Sequence, residues 1–139
     1  MRKQESKLFQ EIRKALPSVH FQRIETDVGL GVPDVNGCFN GVDFWLELKV
    51  SSGTALGLSK YQKAWIIRRG LAGGRVFILQ KALKERALKL YQWPSAMIHE
   101  PSTPVPFAKF PFPVDYGQLL ITIVDSELER GPRSSSEKN

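Results

Sequence analysis

The amino-acid sequence predicts an α/β fold in which helices pack on the faces of a mixed β-sheet. Two observations support this prediction. Short runs of apolar and β-branched residues, typical of strands, alternate along the chain with segments whose apolar residues recur at helical spacing. The predicted element order is α-β-β-β-α-β-β-α, and a chain of 139 residues with 42% apolar side chains fits a single domain with a core of its own.

The N-terminal half is predicted to contain one helix and three strands. Apolar side chains recur at helical spacing from Glu5 to Leu16, and Pro17 ends that pattern. The glycines and proline of residues 29–33 interrupt the chain before the second strand, and Asn40-Gly41 is a favoured two-residue turn between antiparallel strands. The predicted strands cover residues 18–25, 34–39 and 42–50.

The C-terminal half is predicted to contain two strands and two helices. The first helix runs from Leu58 to Arg69, with Ser59 as its N-cap and Gly70 as the residue that ends it. For residues 115–129, the β-branched side chains favour a strand, whereas the length and the Asp115 cap favour a helix, which we prefer. The predicted strands cover residues 75–80 and 87–93.

Two segments are predicted to be irregular. Six prolines lie between Pro94 and Pro113, which favours an extended loop over core structure. Residues 131–139 are expected to form a frayed tail beyond a single domain of residues 1–130.

Charge is unevenly distributed along the chain, whose net charge is +6. Residues 60–92 carry nine basic side chains against Glu85 alone, while residues 26–59 are net acidic. This pattern suits a polyanionic ligand with a cation held in between, and an ordinary solvated basic surface fits it equally well.

Several classes of protein are excluded or disfavoured. Cys38 is the single cysteine, so the chain can form neither an internal disulfide nor a cysteine-rich zinc site. The largely apolar stretch Leu119 to Val124 is too short for a membrane span, and the N-terminus is too polar for a secretory signal. We therefore expect an intracellular protein.

Residues 44–50 place two ionisable side chains on one face of a predicted strand. Because side chains alternate between faces, Glu47 and Lys49 lie together, opposite an apolar face. If the hairpin pairs as predicted, Asp34 approaches Glu47. Two carboxylates beside an ammonium group suit a hard divalent cation that activates water against a phosphodiester. An ion pair on the solvated face of the strand is the alternative.

These residues resemble the signature of the PD-(D/E)xK nuclease superfamily: Pro33-Asp34, twelve intervening residues, then Glu47-Leu48-Lys49. Gly31-Val32 before that pair, the glutamine in SKYQKAW and the following GLAGGRVFIL are similar to the virus-type replication-repair nuclease and Holliday-junction-resolvase-like branch. The resemblance covers residues 5 to about 80. It implies a restriction-endonuclease-like core, with a mixed β-sheet flanked by helices.

The resemblance also implies roles for individual residues. The implied catalytic residues are Asp34, Glu47, Lys49 and Gln62. The implied metal ligands, for Mg²⁺ or Mn²⁺, are Glu5, Asp34, Glu47 and the carbonyl of Leu48. Glu5 is preferred to Glu11 because it falls within the apolar stripe of the first helix, where a carboxylate needs a partner. By the same count Gln62 faces the sheet, although an ordinary helix-surface amide fits equally well.

Phosphate contacts require clustered positive charge, and five residues are the best candidates. They are Lys60, Lys63, Arg68, Arg69 and Arg75.

The expected function is that of a Mg²⁺-dependent DNA endonuclease acting on branched DNA, in the manner of a Holliday junction resolvase. Paired cuts imply a homodimer, and the apolar stretch Pro104 to Pro113 either contributes to its interface or folds over its own core. The alternatives are a nuclease for flaps, single strands or duplex, a DNA-binding module that does not cut, and a protein-interaction domain. The expected location is the cytoplasm, that of the host cell if the chain is viral.

Overall fold

A computed structural model describes residues 2–25, 30–93 and 104–126. The described residues form a six-stranded sheet and three helices. The strands are β1 (His20–Arg23), β2 (Val35–Phe39), β3 (Val42–Ser51), β4 (Val76–Ala82), β5 (Ala87–Trp93) and β6 (Ala108–Pro111). The helices are α1 (Lys3–Ala15), α2 (Lys60–Leu71) and α3 (Tyr116–Asp125).

The strands lie in the sheet in the order in which they occur along the chain. Every neighbouring pair is antiparallel except β3 and β4, which are parallel. A parallel pair needs a crossover connection, and α2 lies in that connection. The α/β prediction, with a mixed sheet flanked by helices, is confirmed.

Helices cover both faces of the sheet and bury a separate apolar cluster on each. On one face, side chains of α1 and α3 pack against β3 residues such as Phe44, Leu46 and Leu48. On the other face, Ile66 of α2 packs against Val76, Ile78, Tyr91 and Trp93. Because β3 alternates between these clusters, its Glu47 and Lys49 lie on the α2 face.

The hairpin of β2 and β3 has the predicted turn and register. Asn40 and Gly41 both have positive φ angles, 51° and 78°, as a type I′ turn requires. Val35 pairs with Leu46, so Asp34 enters the sheet beside Glu47. Strand β5 has its predicted bounds, and α1 begins two residues earlier than expected.

Two expectations about secondary structure are wrong. Within the proline-rich stretch, Ala108–Pro111 is not loop but strand β6, which pairs with β5. This is possible because an edge strand needs hydrogen bonds on one side only, and Pro111 lies at its end. Phe110 of this strand is buried in the core shared with α1 and α3, while Phe107 is exposed.

Gly70 does not end α2. It is a buried residue within the helix, which continues to Leu71 and caps at Ala72. The left-handed conformation expected at a helix end occurs instead at Gly73, with φ 96°.

The predicted C-terminal helix is confirmed as α3. Its N-cap Asp115 accepts a hydrogen bond from the backbone nitrogen of Gln118 at 3.1 Å. The expected extension to residue 129, the segment 94–103 and the tail 131–139 lie outside the described residues. In the part of the chain that is described, no helix is both long and apolar enough to cross a membrane.

Candidate active site

A cavity of about 690 Å³ gathers ionisable and polar side chains from separate elements of the fold. These side chains come from α1, the residue before β2, strand β3 and the first turn of α2. They are Glu5, Asp34, Glu47, Lys49 and Gln62, all implied site residues, and Leu48 lines the same cavity.

Asp34 is fixed against β3 by the hairpin register. Its Oδ2 accepts a hydrogen bond from the backbone nitrogen of Leu48 at 3.0 Å. Burial raises the pKa of Asp34 above its ordinary value, and the Leu48 hydrogen bond opposes that rise. This hydrogen bond holds the Asp34 carboxylate against Leu48, the residue that follows Glu47 on β3.

Glu47 is almost completely buried, with 2% of its surface exposed. Its Oε2 accepts a hydrogen bond from Gln62 Nε2 at 2.9 Å and lies 3.5 Å from Lys49 Nζ. Burial, followed by the nearby charge of Asp34, raises the pKa of Glu47 to about 8. A pKa this high means that the hydrogen bond from Gln62 and the charge of Lys49 do not stabilise the ionised form of Glu47 enough to offset its burial.

Lys49 spans the gap between β3 and α2. Its Nζ lies 3.4 Å from both the Gly57 carbonyl and Gln62 Oε1, in addition to the Glu47 carboxylate. These distances are long for hydrogen bonds, so the ammonium group is loosely held and can still donate to a ligand in the cavity.

Gln62 lies at the third position of α2 and completes a capping box with Ser59. Its backbone nitrogen donates to Ser59 Oγ at 3.1 Å, and its Oε1 accepts from the Ser59 backbone nitrogen at 2.9 Å. The remaining Nε2 reaches Glu47. One side chain therefore starts the helix and supports the carboxylate.

The two candidate glutamates of α1, Glu5 and Glu11, lie at different cavities. Glu5 is buried, and its Oε2 accepts a hydrogen bond from the backbone nitrogen of Val50 at 3.1 Å. Glu11 instead lies 3.5 Å from Lys81, beside a different and smaller cavity. Glu5 is therefore the α1 carboxylate that lies in the candidate site.

The cavity has the unpaired oxygen atoms of a divalent-cation site but not, among the residues that the structure describes, a preformed cluster of ligands. Within residues 2–25, 30–93 and 104–126, no three His, Cys, Asp or Glu side chains form a group ready to hold a metal ion. In the same described part of the chain, however, Glu5 Oε1 and Glu47 Oε1 are buried without a hydrogen-bond partner. Buried unpaired carboxylate oxygens are costly, and a hard cation is the partner that such oxygens prefer. The donor chemistry therefore fits Mg²⁺ or Mn²⁺.

No protein-family model and no curated protein matches this chain. Among solved structures, the chain is similar to Hjc, a Holliday junction resolvase from the archaeal hyperthermophile Archaeoglobus fulgidus. The TM-score is 0.55 at 16% sequence identity, over 74% of this chain and 85% of that chain. The fold is restriction-endonuclease-like. With so few identical residues, the likeness concerns the course of the backbone, and the site stands on its own geometry.

The five basic residues expected to contact phosphate have different surroundings in this restriction-endonuclease-like fold. Lys60, Lys63 and Arg68 are exposed on α2. The Arg69 guanidinium lies over the rings of two tryptophans, 5.3 Å from Trp45 and 4.6 Å from Trp65.

Arg75 makes hydrogen bonds to the end of α3 that the sequence did not indicate. Its Nη1 donates to the carbonyl of Ile123 at 3.1 Å and also to the carbonyl and hydroxyl of Ser126. The guanidinium thus satisfies the end of α3, which favours a structural role over the expected phosphate contact.

Two features of the site were missed at the level of sequence. Arg2 lines the cavity one helical turn before Glu5, a spacing that could have identified it. The loop after β3 also borders the cavity and is anchored by the fully buried Gln80, whose Nε2 donates to Ser51 Oγ at 2.8 Å and to the Gly53 carbonyl at 3.1 Å. A glutamine inside an apolar strand was the signal available for it.

Proposed function

We propose that this protein is a metal-dependent DNA endonuclease of the PD-(D/E)xK type that hydrolyses phosphodiester bonds in branched DNA. The observation that carries the proposal is the convergence of Asp34, Glu47 and Lys49, with two unpaired buried carboxylate oxygens, on one cavity. The similarity of the fold to a Holliday junction resolvase supports it.

The residues that would hold Mg²⁺, or Mn²⁺, are Glu5, Asp34, Glu47 and the carbonyl of Leu48. When bound, such an ion supplies a water of lowered pKa and offsets the charge that develops on the phosphate.

The chain's own groups position and polarise the reacting centre. The Leu48 amide and Gln62 Nε2 orient the carboxylates of Asp34 and Glu47. Lys49 brings a cationic donor to the same cavity, where it can stabilise negative charge on a phosphate oxygen or orient an attacking water. Arg2 lines the same cavity and would add a second positive charge near the substrate phosphate.

Helix α2 supplies the basic surface next to this site. Ser59 and Gln62 line the cavity, and Lys60 and Lys63 are exposed on the same helical turns. Backbone phosphates flanking the scissile bond would contact these lysines and Arg68, which gives affinity without sequence specificity.

The narrower form of the proposal is a homodimeric Holliday junction resolvase, because resolution requires paired cuts by two active sites. The Gly-Val-Pro-Asp and SKYQKAW motifs favour the virus-type branch within the superfamily. Action in the cytoplasm, that of the host if the chain is viral, belongs to the same proposal.

A DNA-binding module that does not cut is the second candidate. It is favoured by the absence, among the described residues, of three side chains gathered into a metal-binding group. Nucleases for flaps, single strands or duplex would share the same site residues and differ in substrate alone.

The test is cleavage of an end-labelled four-way junction, flap, single strand and duplex, each with Mg²⁺, Mn²⁺ and EDTA. We expect metal-dependent paired cuts in the junction, lost in Asp34→Asn with DNA binding kept. Asp43→Asn is the matched control, since Asp43 is exposed and hydrogen-bonded to Asn36 outside the cavity.

Each outcome separates the candidates. Cutting of the flap, single strand or duplex would support the assignment of the site residues and contradict the proposed specificity for junctions. Tight binding without cutting in either metal would favour the binding module.

A further inference from the structure

We propose that Gly31 is a positioning residue of the candidate site, because it lets the loop before Asp34 touch the backbone of α2 with no side chain in between. The inference deepens the proposed nuclease function and rests on it. It assigns a physical role to the first residue of Gly31-Val32-Pro33-Asp34, a role distinct from that of a simple turn.

The contact is between backbones. A methyl group built on Gly31 would overlap the carbonyl group of Tyr61 and would lie 2.6 Å from the backbone nitrogen of Gln62. Real side chains do not approach so closely, and the neighbouring atoms belong to a helix backbone that cannot turn away. Any residue larger than glycine must therefore move the loop or the helix.

Each side of this contact leads directly to a site residue. On the α2 side, the contact is with the peptide group that joins Tyr61 to Gln62, and the Nε2 of Gln62 donates to Glu47. On the loop side, the chain continues through buried Pro33 to Asp34, whose Oδ2 accepts from the Leu48 amide. The spacing at Gly31 therefore sets the separation between the supports of the two central carboxylates.

The chain contains a natural control for the backbone conformation. Gly31 and Gly41 have the same φ of 78°, but no described atom lies within 4 Å of a methyl group built on Gly41. Substitution at Gly41 therefore introduces the left-handed strain alone, whereas substitution at Gly31 introduces the strain and the close contact together.

The first experiment compares Gly31→Ala and Gly31→Asn with Gly41→Ala and Gly41→Asn. Asparagine tolerates a positive φ but still carries a Cβ, so both Gly31 variants should lower kcat by about a hundredfold with little change in KM, as a misplaced reacting group does. Both Gly41 variants should retain the kcat of the parent protein.

The second experiment does not depend on cleavage. In amide hydrogen exchange followed by NMR, the Leu48 amide should exchange about tenfold faster in Gly31→Ala, as expected for the loss of one hydrogen bond. The Val50 amide is an internal reference on the same strand, because it donates to Glu5 on α1 and should not change. This measurement remains decisive if the protein cuts no DNA.

A third variant leaves the contact between Gly31 and α2 unchanged, so it serves as a check in case the Gly31 variants do not fold. Val32→Gly loosens the chain between Gly31 and Asp34 and should also accelerate exchange at Leu48 but not at Val50. The proposal is overturned if Gly31→Asn restores kcat, if Gly31 and Gly41 variants lose activity alike, or if Leu48 and Val50 respond equally.

Discussion

At the scale of single residues, Gln62 shows how one side chain can serve a helix and a site with different atoms. Its Oε1 belongs to the capping box with Ser59, and its Nε2 donates to Glu47 at 2.9 Å. The two tasks can be separated by a substitution that keeps an oxygen and removes the amide nitrogen.

Gln62→Glu is expected to preserve α2 and to impair cleavage. A glutamate at this position still completes a capping box, so helix content by circular dichroism should not change. Its second carboxylate oxygen, however, would face Glu47 Oε2 and repel it whenever Glu47 is ionised, as metal binding requires, and this should lower the cleavage rate by about ten- to a hundredfold.

Gln10→Glu is the matched control, since Gln10 is exposed on α1 and hydrogen-bonded to Arg13. It makes the same change in net charge away from the cavity and should cleave at the parent rate. Parent-level cleavage by Gln62→Glu would show that the bond to Glu47 is not needed.

The raised pKa of Glu47 predicts how the stability of the metal-free protein depends on pH. Between the ordinary carboxyl value of 4.5 and about 8, the folded protein keeps a proton that the unfolded chain releases. The free energy of unfolding should therefore fall as pH rises through this window, by a few kcal/mol, and level off above it.

Urea unfolding in EDTA at a series of pH values measures this slope. Glu47→Gln cannot release the proton, so its stability should vary less with pH and exceed that of the parent protein at alkaline pH. The same slope in both proteins would contradict the assignment to Glu47.

At the scale of elements, the end of α3 depends on a side chain from outside the helix. Arg75, the residue before β4, donates to the carbonyls of Ile123 and Ser126. A cation is favourable at a helix C-terminus, where carbonyl groups lack partners. Arg75 therefore links α3 to the sheet.

Arg75→Gln is expected to lower stability and leave DNA affinity unchanged. Loss of the charged hydrogen bonds should reduce the free energy of unfolding by about 1–3 kcal/mol, measured in urea. Lys63→Gln should do the reverse: unchanged stability, and a salt dependence of DNA binding shallower by about one unit. A shallower salt dependence in Arg75→Gln would restore Arg75 to the phosphate contacts.

At the scale of the whole molecule, the site joins parts of the chain that are distant in sequence. Carboxylates of α1, the start of β2, and β3 share one cavity, so an ion bound there would require the native fold. Binding to the folded state alone stabilises it by mass action.

Mg²⁺ is therefore expected to raise the melting temperature progressively, with about 2.7 kcal/mol of added stability at a hundred times its dissociation constant. Differential scanning fluorimetry over a Mg²⁺ series measures this. Asp34→Asn should remove most of the effect and Asp43→Asn should keep it. If neither Mg²⁺ nor Mn²⁺ changes the melting temperature of the parent protein, the result would argue against a metal site.

Features that depend on local chemistry were predictable. The Ser59 cap, the Asn40-Gly41 turn and the bounds of β5 follow from neighbouring residues, and the structure agrees with each. Strand β6 was not predictable, because prolines disfavour strands in general and only pairing with β5 makes this one favourable. Gly70 was misread because burial, rather than a left-handed conformation, determines its place in α2.

The grouping of Glu47 with Lys49 on one strand face, and the place of Asp34 at the start of the partner strand, could be read from the order of the residues. These relations follow from alternation and hairpin register, which act over a few residues. The preference for Glu5 over Glu11 followed from helical spacing and agrees with the structure, whereas the contacts of Arg75 with α3 and of Gly31 with α2 are visible only in the folded chain. These contacts join elements that are far apart in the chain. They depend on how the surfaces of those elements pack together, which the number of residues between them does not specify.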